Sequence, residues 1–118
     1  MSRFALILYP NFSLQEVTCL TSALAVWFGE EIDYIASENK EYCSEEGLRV
    51  VPTKTVADTS ITDYDCVILP GTINPLPAIY DERLIDFLKN GINTDVVFAA
   101  ISSSPLLLAK AGVLNGKK

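Results

Sequence analysis

The sequence predicts an α/β fold, a three-layer sandwich in which a mostly parallel sheet carries helices on both faces. Three observations point there. Continuous apolar runs, "FALILY" (Phe4 to Tyr9), "CVILPG" (Cys66 to Gly71) and "VVFAAI" (Val96 to Ile101), have the composition of strands buried on both sides. Between them lie stretches with helical spacing and recognisable ends. Apolar residues make up 49% of the 118, which suits a heavily covered sheet and excludes disorder. Strands that alternate with helices need right-handed crossovers, and these make the sheet parallel.

Pro10 stops the first strand. Ser13-Leu14-Gln15-Glu16 then fits a capping box, and Val17, Leu20, Leu24 and Phe28 recur at helical spacing as far as Gly29. This predicts a first helix with an apolar stripe; Trp27 and Phe28 near its end fit either the core or a partner surface, and the core is the expectation. "EIDYIA" (Glu31 to Ala36) is rich in β-branched and aromatic residues and reads as a second strand. Asn39 to Thr59 reads as a hairpin or extended excursion around a Glu-Gly turn. After the "CVILPG" strand comes a proline-containing loop, Gly71 to Tyr80. Asp81 caps a helix through Leu84, Ile85 and Leu88 to Gly91. In "FAAISSSP" the fourth core strand stops at three hydroxyls. Ser104 and Pro105 fit the N-cap and first position of a last helix, which Gly112 closes. No repeat, linker or low-complexity tract divides the chain, so residues 1–118 form one domain, large enough to bury roughly two-thirds of its unfolded surface.

Composition narrows the function. Nine basic residues stand against 15 acidic ones, a net charge of −6, and they are scattered, so a nucleic-acid partner is not expected. No apolar run approaches the roughly 18 residues that cross a bilayer. The residues after Met1 lack the pattern of a secretion signal, so the expected location is cytoplasmic, without a membrane partner. Three cysteines without CxxC spacing argue against a disulfide framework or a metal site. Cys19 and Cys66 read as small core residues, and Cys43 as an exposed thiol. Histidine is absent, which removes the commonest general base and metal ligand, and no cofactor is called for.

In parallel sheets ligands sit beyond the carboxyl ends of the strands, so Tyr9 to Asn11, Gly71 to Asn74 and Ser102 to Ser104 should gather on one rim. The pieces "ALILYPNFSLQEV", "DYDCVILPGT" and "VVFAAISSSPLLLAKAGVLNGKK" together resemble the ThiJ/PfpI family. This is the class I glutamine-amidotransferase-like group, flavodoxin-like in fold, that includes the Parkinson-associated deglycase. The resemblance covers nearly the whole chain and implies site positions. The family's nucleophilic cysteine falls on Ser102. Its glutamate on the first helix, which hydrogen-bonds that cysteine, falls on Glu16. A glycine pair whose amide helps hold an oxyanion falls on Gly71 and Thr72, and Ser103 and Ser104 follow the nucleophile position. The family also continues past the Gly-Lys signal through further strands and a helix, often with a catalytic histidine. The resemblance therefore implies that these 118 residues are the N-terminal part of a longer domain. As a complete chain they would instead bury the uncovered sheet in a homodimer or higher homo-oligomer.

A thiol at such a corner gains from a lowered pKa, whereas a serine hydroxyl needs an adjacent base. Only Glu16 or a lysine is available for that, and a carboxylate is a weak base for an alcohol. Nor can Ser102 climb the sulfenic–sulfinic ladder. Two plainer roles compete with the site: Glu16 as the partner of Ser13 in a capping box, and Ser102 to Ser104 as a helix cap. The expected function is a family domain without cysteine chemistry, a non-catalytic small-molecule-binding or oligomerising module. The alternative is a serine-variant hydrolase, amidase or acyl transferase. In it Ser102 would be the nucleophile, Glu16 its assistant and the Gly71 and Thr72 amides the oxyanion donors, with Ser103 lining the ligand site.

Overall fold

The computed structural model describes residues 3–92 and 94–113. Its elements run β1 (Arg3–Ile7), α1 (Thr18–Ser22) with a π-helical turn Ala23–Trp27, β2 (Glu31–Ala36), β3 (Tyr42–Cys43), β4 (Arg49–Val50) and β5 (Lys54–Thr55). A 3-10 turn Ile61–Asp63 leads to β6 (Cys66–Leu69), α2 (Leu76–Ile79), α3 (Glu82–Lys89), β7 (Val97–Ala100) and α4 (Pro105–Ala111). Five strands form one sheet in the order β5-β2-β1-β6-β7, and every pairing in it is parallel. From central β1 the chain steps to β2 on one side and later to β6 and β7 on the other. The direction reverses between β1 and β6, and at such a switch point the carboxyl ends of the two strands leave a crevice.

Two of the three apolar runs become strands for the reason read from them, while "VVFAAI" forms the edge strand β7, with Val97 exposed and Phe98, Ala99 and Ala100 only half-buried. Ala5, Ile7, Ile35, Val67 and Leu69 have no exposed surface, and Leu6 and Ile68 have almost none. They share one cluster with Leu84, Ile85, Phe87 and Leu88 of α3 and with Leu107, Leu108 and Ala111 of α4. Asp81 caps α3 by accepting from the Leu84 amide at 3.4 Å, and Gly112 ends α4 with a φ of 82°. The Gly-Lys signal at residues 116–117 lies outside the described residues.

Four expectations need correction. The first helix begins at Thr18 rather than at Ser13, and no capping box forms: the buried Ser13 hydroxyl has no hydrogen-bond partner. The reason is competition. The Ser13 amide donates to the Gly71 carbonyl at 2.7 Å, while the Leu14 and Gln15 amides donate to the Glu46 carboxylate at 3.1 and 3.0 Å. Next, the stripe of that helix is only partly core. Val17 is buried, but Trp27 is 81% exposed, with Val26 and Phe28 beside it almost as open. The π-helical turn rotates the last residues off the 3.6-residue spacing that put them inward. Cys19 is exposed on α1, not buried, and Cys66 is only half-buried. The expected hairpin forms, β3 with β4, and the fourth correction is only that the same excursion also supplies a fifth sheet strand, β5 beside β2.

At the amino ends of the strands Asp33 draws three partners together. The Arg3 guanidinium and the Lys54 ammonium each lie 3.2 Å from its carboxylate, and the Tyr64 hydroxyl donates to it at 2.7 Å. Burial pushes the Asp33 carboxyl up, but the bond from Tyr64 and the charges of Lys54 and Arg3 outweigh that and hold it below its ordinary value. Burial foremost, together with the same carboxylate, pushes the Tyr64 phenol up to about 12. Because the folded-state pKa of Asp33 is depressed, its contribution to stability is present above the unfolded carboxyl value. It disappears as pH falls through the folded value. Thermal melts between pH 7 and 3 should therefore lose a step in Asp33→Asn. An acid limb of unchanged slope would show that this cluster does not govern it.

Candidate functional site

Three chain segments leave the carboxyl ends of β1, β6 and β7 and are stitched to one another. After β1 the chain passes Tyr9, whose hydroxyl donates to the Pro70 carbonyl, and turns at Asn11, in the left-handed region with φ 61°. Phe12 then pairs antiparallel with Thr72. The Thr72 hydroxyl lies 3.0 and 3.1 Å from the Pro10 and Asn11 carbonyls. On the other side of Thr72, its amide donates to the Ser103 hydroxyl at 3.1 Å, and that hydroxyl donates back to the Thr72 carbonyl at 3.0 Å. Ser104 joins β6 to β7: its hydroxyl accepts from the Ile101 amide at 2.6 Å and lies 2.9 Å from the Leu69 carbonyl. It stands at the N-cap of α4 without capping it through its side chain.

Ser102 sits where β7 turns into α4, with φ 60°. A side chain other than glycine's is rare in that conformation and costs of order 1 kcal/mol. Ser102 is exposed on the rim. Gly71 stands beside it. A Cβ on Gly71 would lie 2.8 Å from the Ser102 Cβ and 2.4 Å from Glu16 Oε1, so glycine is what allows both side chains to converge on one point. Glu16 is thus at the rim, in a turn before α1, and does not serve as the helix partner of Ser13. The carboxylate is felt nearby: burial first, and then the negative charge of Glu16, push the Tyr9 phenol far above its ordinary value. Tyr9 therefore remains a neutral donor to Pro70.

The structure brings Glu16, Gly71, Thr72, Ser102 and Ser103 into one patch. The bond the family resemblance implies between Glu16 and the nucleophile position is not made: among the described residues the Ser102 hydroxyl has no hydrogen-bond partner. The Gly71, Ser102 and Ser103 amides likewise donate to no backbone carbonyl there. The Thr72 amide is already paired with Ser103. No described group of three or more His, Cys, Asp or Glu side chains could hold a metal ion. Asn11 lies on the rim as expected, and its left-handed turn is one that asparagine tolerates. One contributor, Glu46, had no signal in the sequence, because its bonds depend on the hairpin folding back across the chain.

The strain at Ser102 gives a graded expectation. Ser102→Gly removes the Cβ clash and should keep or slightly raise the melting temperature, while Ser102→Val, β-branched at positive φ, should lose about 1–2 kcal/mol. Equal melting temperatures for the two would mean that this corner is not held in the left-handed region.

Known proteins share this chain's sequence pattern and fold. A profile of the DJ-1/PfpI family matches residues 2–118. Over 109 residues the chain is 43% identical to DJ-1 protein homolog E of Arabidopsis thaliana, which covers 92% of this chain and 25% of that protein. With the isonitrile hydratase of Pseudomonas putida it shares 26% identity over 112 residues, 95% of this chain and 48% of the hydratase. The crystal structure of the DJ-1 superfamily protein Atu0886 from Agrobacterium tumefaciens superposes with a TM-score of 0.84 at 26% identity, over 98% of this chain and 61% of that one. The chain spans between a quarter and about half the length of these two curated relatives.

Proposed function

Because this chain belongs to the DJ-1/PfpI family, we propose that its rim retains the family's ligand position without thiol chemistry and works as a non-catalytic small-molecule-binding module. The observation that carries this reading is Ser102. It occupies the strained corner beside Gly71 and Glu16, yet among the described residues its hydroxyl makes no hydrogen bond to a base. An alcohol without a base is a poor nucleophile but a good donor and acceptor. The unpaired Gly71, Ser102 and Ser103 amides suit a carbonyl or carboxylate oxygen, and Glu16 suits a hydroxyl or ammonium group on the same molecule. The ligand class is therefore a small polar molecule with both.

The left-handed φ of Ser102 supports a second reading, since strained strand-to-helix corners are how nucleophiles are presented to substrates. In that reading Ser102 Oγ attacks the carbonyl carbon of an ester or amide. Glu16 takes the hydroxyl proton and returns it to the alcohol or amine that leaves as the carbonyl–leaving-group bond breaks, and water then releases the acid. The oxyanion must win the Thr72 amide from Ser103. A fluorophosphonate probe separates the two. Labelling abolished by Ser102→Ala would establish the serine enzyme and reject the binding module. Without labelling, amide-shift changes at Gly71–Ile73 and Ser102–Ser104 on titration with small hydroxy- or amino-carboxylates would support the module.

Self-association belongs to the same proposal. Val26, Trp27 and Phe28 form a run of exposed apolar side chains that suits the face of a second copy. Sedimentation should show a homodimer or larger assembly that Trp27→Glu reduces to a monomer. A parent chain that sediments as a monomer at high concentration would remove this part of the reading.

A further inference from the structure

Glu16 does not belong to a helix, so something other than helical hydrogen bonding must fix it. The rim segment that leads to it is held from two sides: by Gly71 and Thr72, which bond Ser13, Phe12 and the Pro10 and Asn11 carbonyls, and by the hairpin. The Asn11 amide donates to the Cys43 carbonyl at 2.9 Å and the Glu45 amide to the Phe12 carbonyl at 2.9 Å. Glu46 then takes the next two amides, Leu14 through Oε1 at 3.1 Å and Gln15 through Oε2 at 3.0 Å. These are the last residues before Glu16. Glu46 itself sits in a tight turn. Gly47 has a φ of 90°, the Gly47 amide donates to the Ser44 carbonyl at 2.9 Å, and the buried Ser44 hydroxyl accepts from the Leu48 amide at 3.1 Å.

We infer that Glu46 is the positioning residue for Glu16: its bidentate grip on the Leu14 and Gln15 amides sets where the Glu16 carboxylate stands relative to Gly71 and Ser102. The inference rests on the reading of that patch as the functional site. The physical case is one of alternatives. Ser13, the residue whose type and spacing would cap this segment, makes no side-chain bond at all. Without Glu46 the two amides would lose their acceptors, and the turn Leu14–Val17, held then by the bonds of the Val17 and Thr18 amides to the Leu14 carbonyl, would have more room to carry Glu16 away from the space that the missing Gly71 side chain leaves. The Gln15 amide, foremost, and then the Leu14 amide hold the Glu46 carboxyl below its ordinary value, so the acceptor stays charged across the neutral range.

A reporter thiol at the corner tests this. In a Ser102→Cys background the pKa of the introduced thiol, read by peptide-resolved alkylation against pH, responds to the charge and distance of its neighbour. Glu16→Gln should move that pKa by about one unit. Glu46→Ala should move it in the same sense by at least about half as much, and should add nothing when Glu16 is already glutamine. Glu46→Gln, which keeps an oxygen for one amide, should fall between and guards against a hairpin that simply unfolds. A thiol pKa that moves with Glu16→Gln but stays fixed in both Glu46 variants overturns the positioning role. A thiol indifferent to Glu16→Gln fails the site itself, and so the reading beneath the inference.

Discussion

Replacing Gly71 by alanine or valine is expected to dismantle the rim while leaving most of the core intact. The two contacts a new Cβ would make differ in kind. Glu16 Oε1, at 2.4 Å, is the far end of a flexible chain and can swing away. The Ser102 Cβ, at 2.8 Å, is fixed to a backbone already in the left-handed region, and only movement of the β7–α4 corner can relieve that overlap. Movement there is resisted by the Ser104 hydroxyl, which ties Ile101 to Leu69, and by the Ser103–Thr72 pair. The expected loss is about 1–3 kcal/mol for alanine, more for valine, the usual range for overpacking. Urea unfolding gives the stability, and amide shifts of Ser102–Ser104 give the displacement. An alanine variant with parental stability and unmoved shifts would mean that the three residues do not meet as described.

The second large effect is expected at Phe12. Its side chain has no exposed surface, and its backbone pairs with Thr72. The ring also forms one wall of an apolar hollow of about 220 Å3 with Leu6, Leu8, Leu14, Tyr34, Val50 and Val51. Truncation to alanine would merge the space of the ring with that hollow, leaving few atoms able to collapse into it. Phe→Ala at such sites costs about 3–5 kcal/mol, a large part of the stability of a domain this size. The urea midpoint should fall steeply with little change in slope. A loss below about 1 kcal/mol would show that the ring is not packed as the buried surface implies.

The fold was legible because its strands are unusually plain. A run such as "CVILPG" has too few polar positions for a half-exposed strand, and β2 spans the same six residues, Glu31–Ala36, that composition marked. β5 was not legible, because two residues, Lys54 and Thr55, cannot display a period. The rim was legible for a topological reason: once β1, β6 and β7 are parallel neighbours, the segments after them have to meet. What spacing alone could not supply was competition from afar. Ser13 followed by Glu16 has the form of a capping box, but Glu46 and the Gly71 carbonyl take the amides such a box would order. Trp27 taught the same lesson in reverse, since helical period says which residues share a stripe and not what the stripe faces.

The two borders of the sheet are built differently. On one side β5 is two residues long and carries a lysine, so it offers an incoming strand little to zip onto. On the other, β7 presents Val-Phe-Ala-Ala, without charge or proline, and Val97 is 60% exposed. Among the described residues nothing pairs with its outer side. Within the described residues that row of unpaired backbone groups is where a further strand, from this chain or another, has room to add to the sheet.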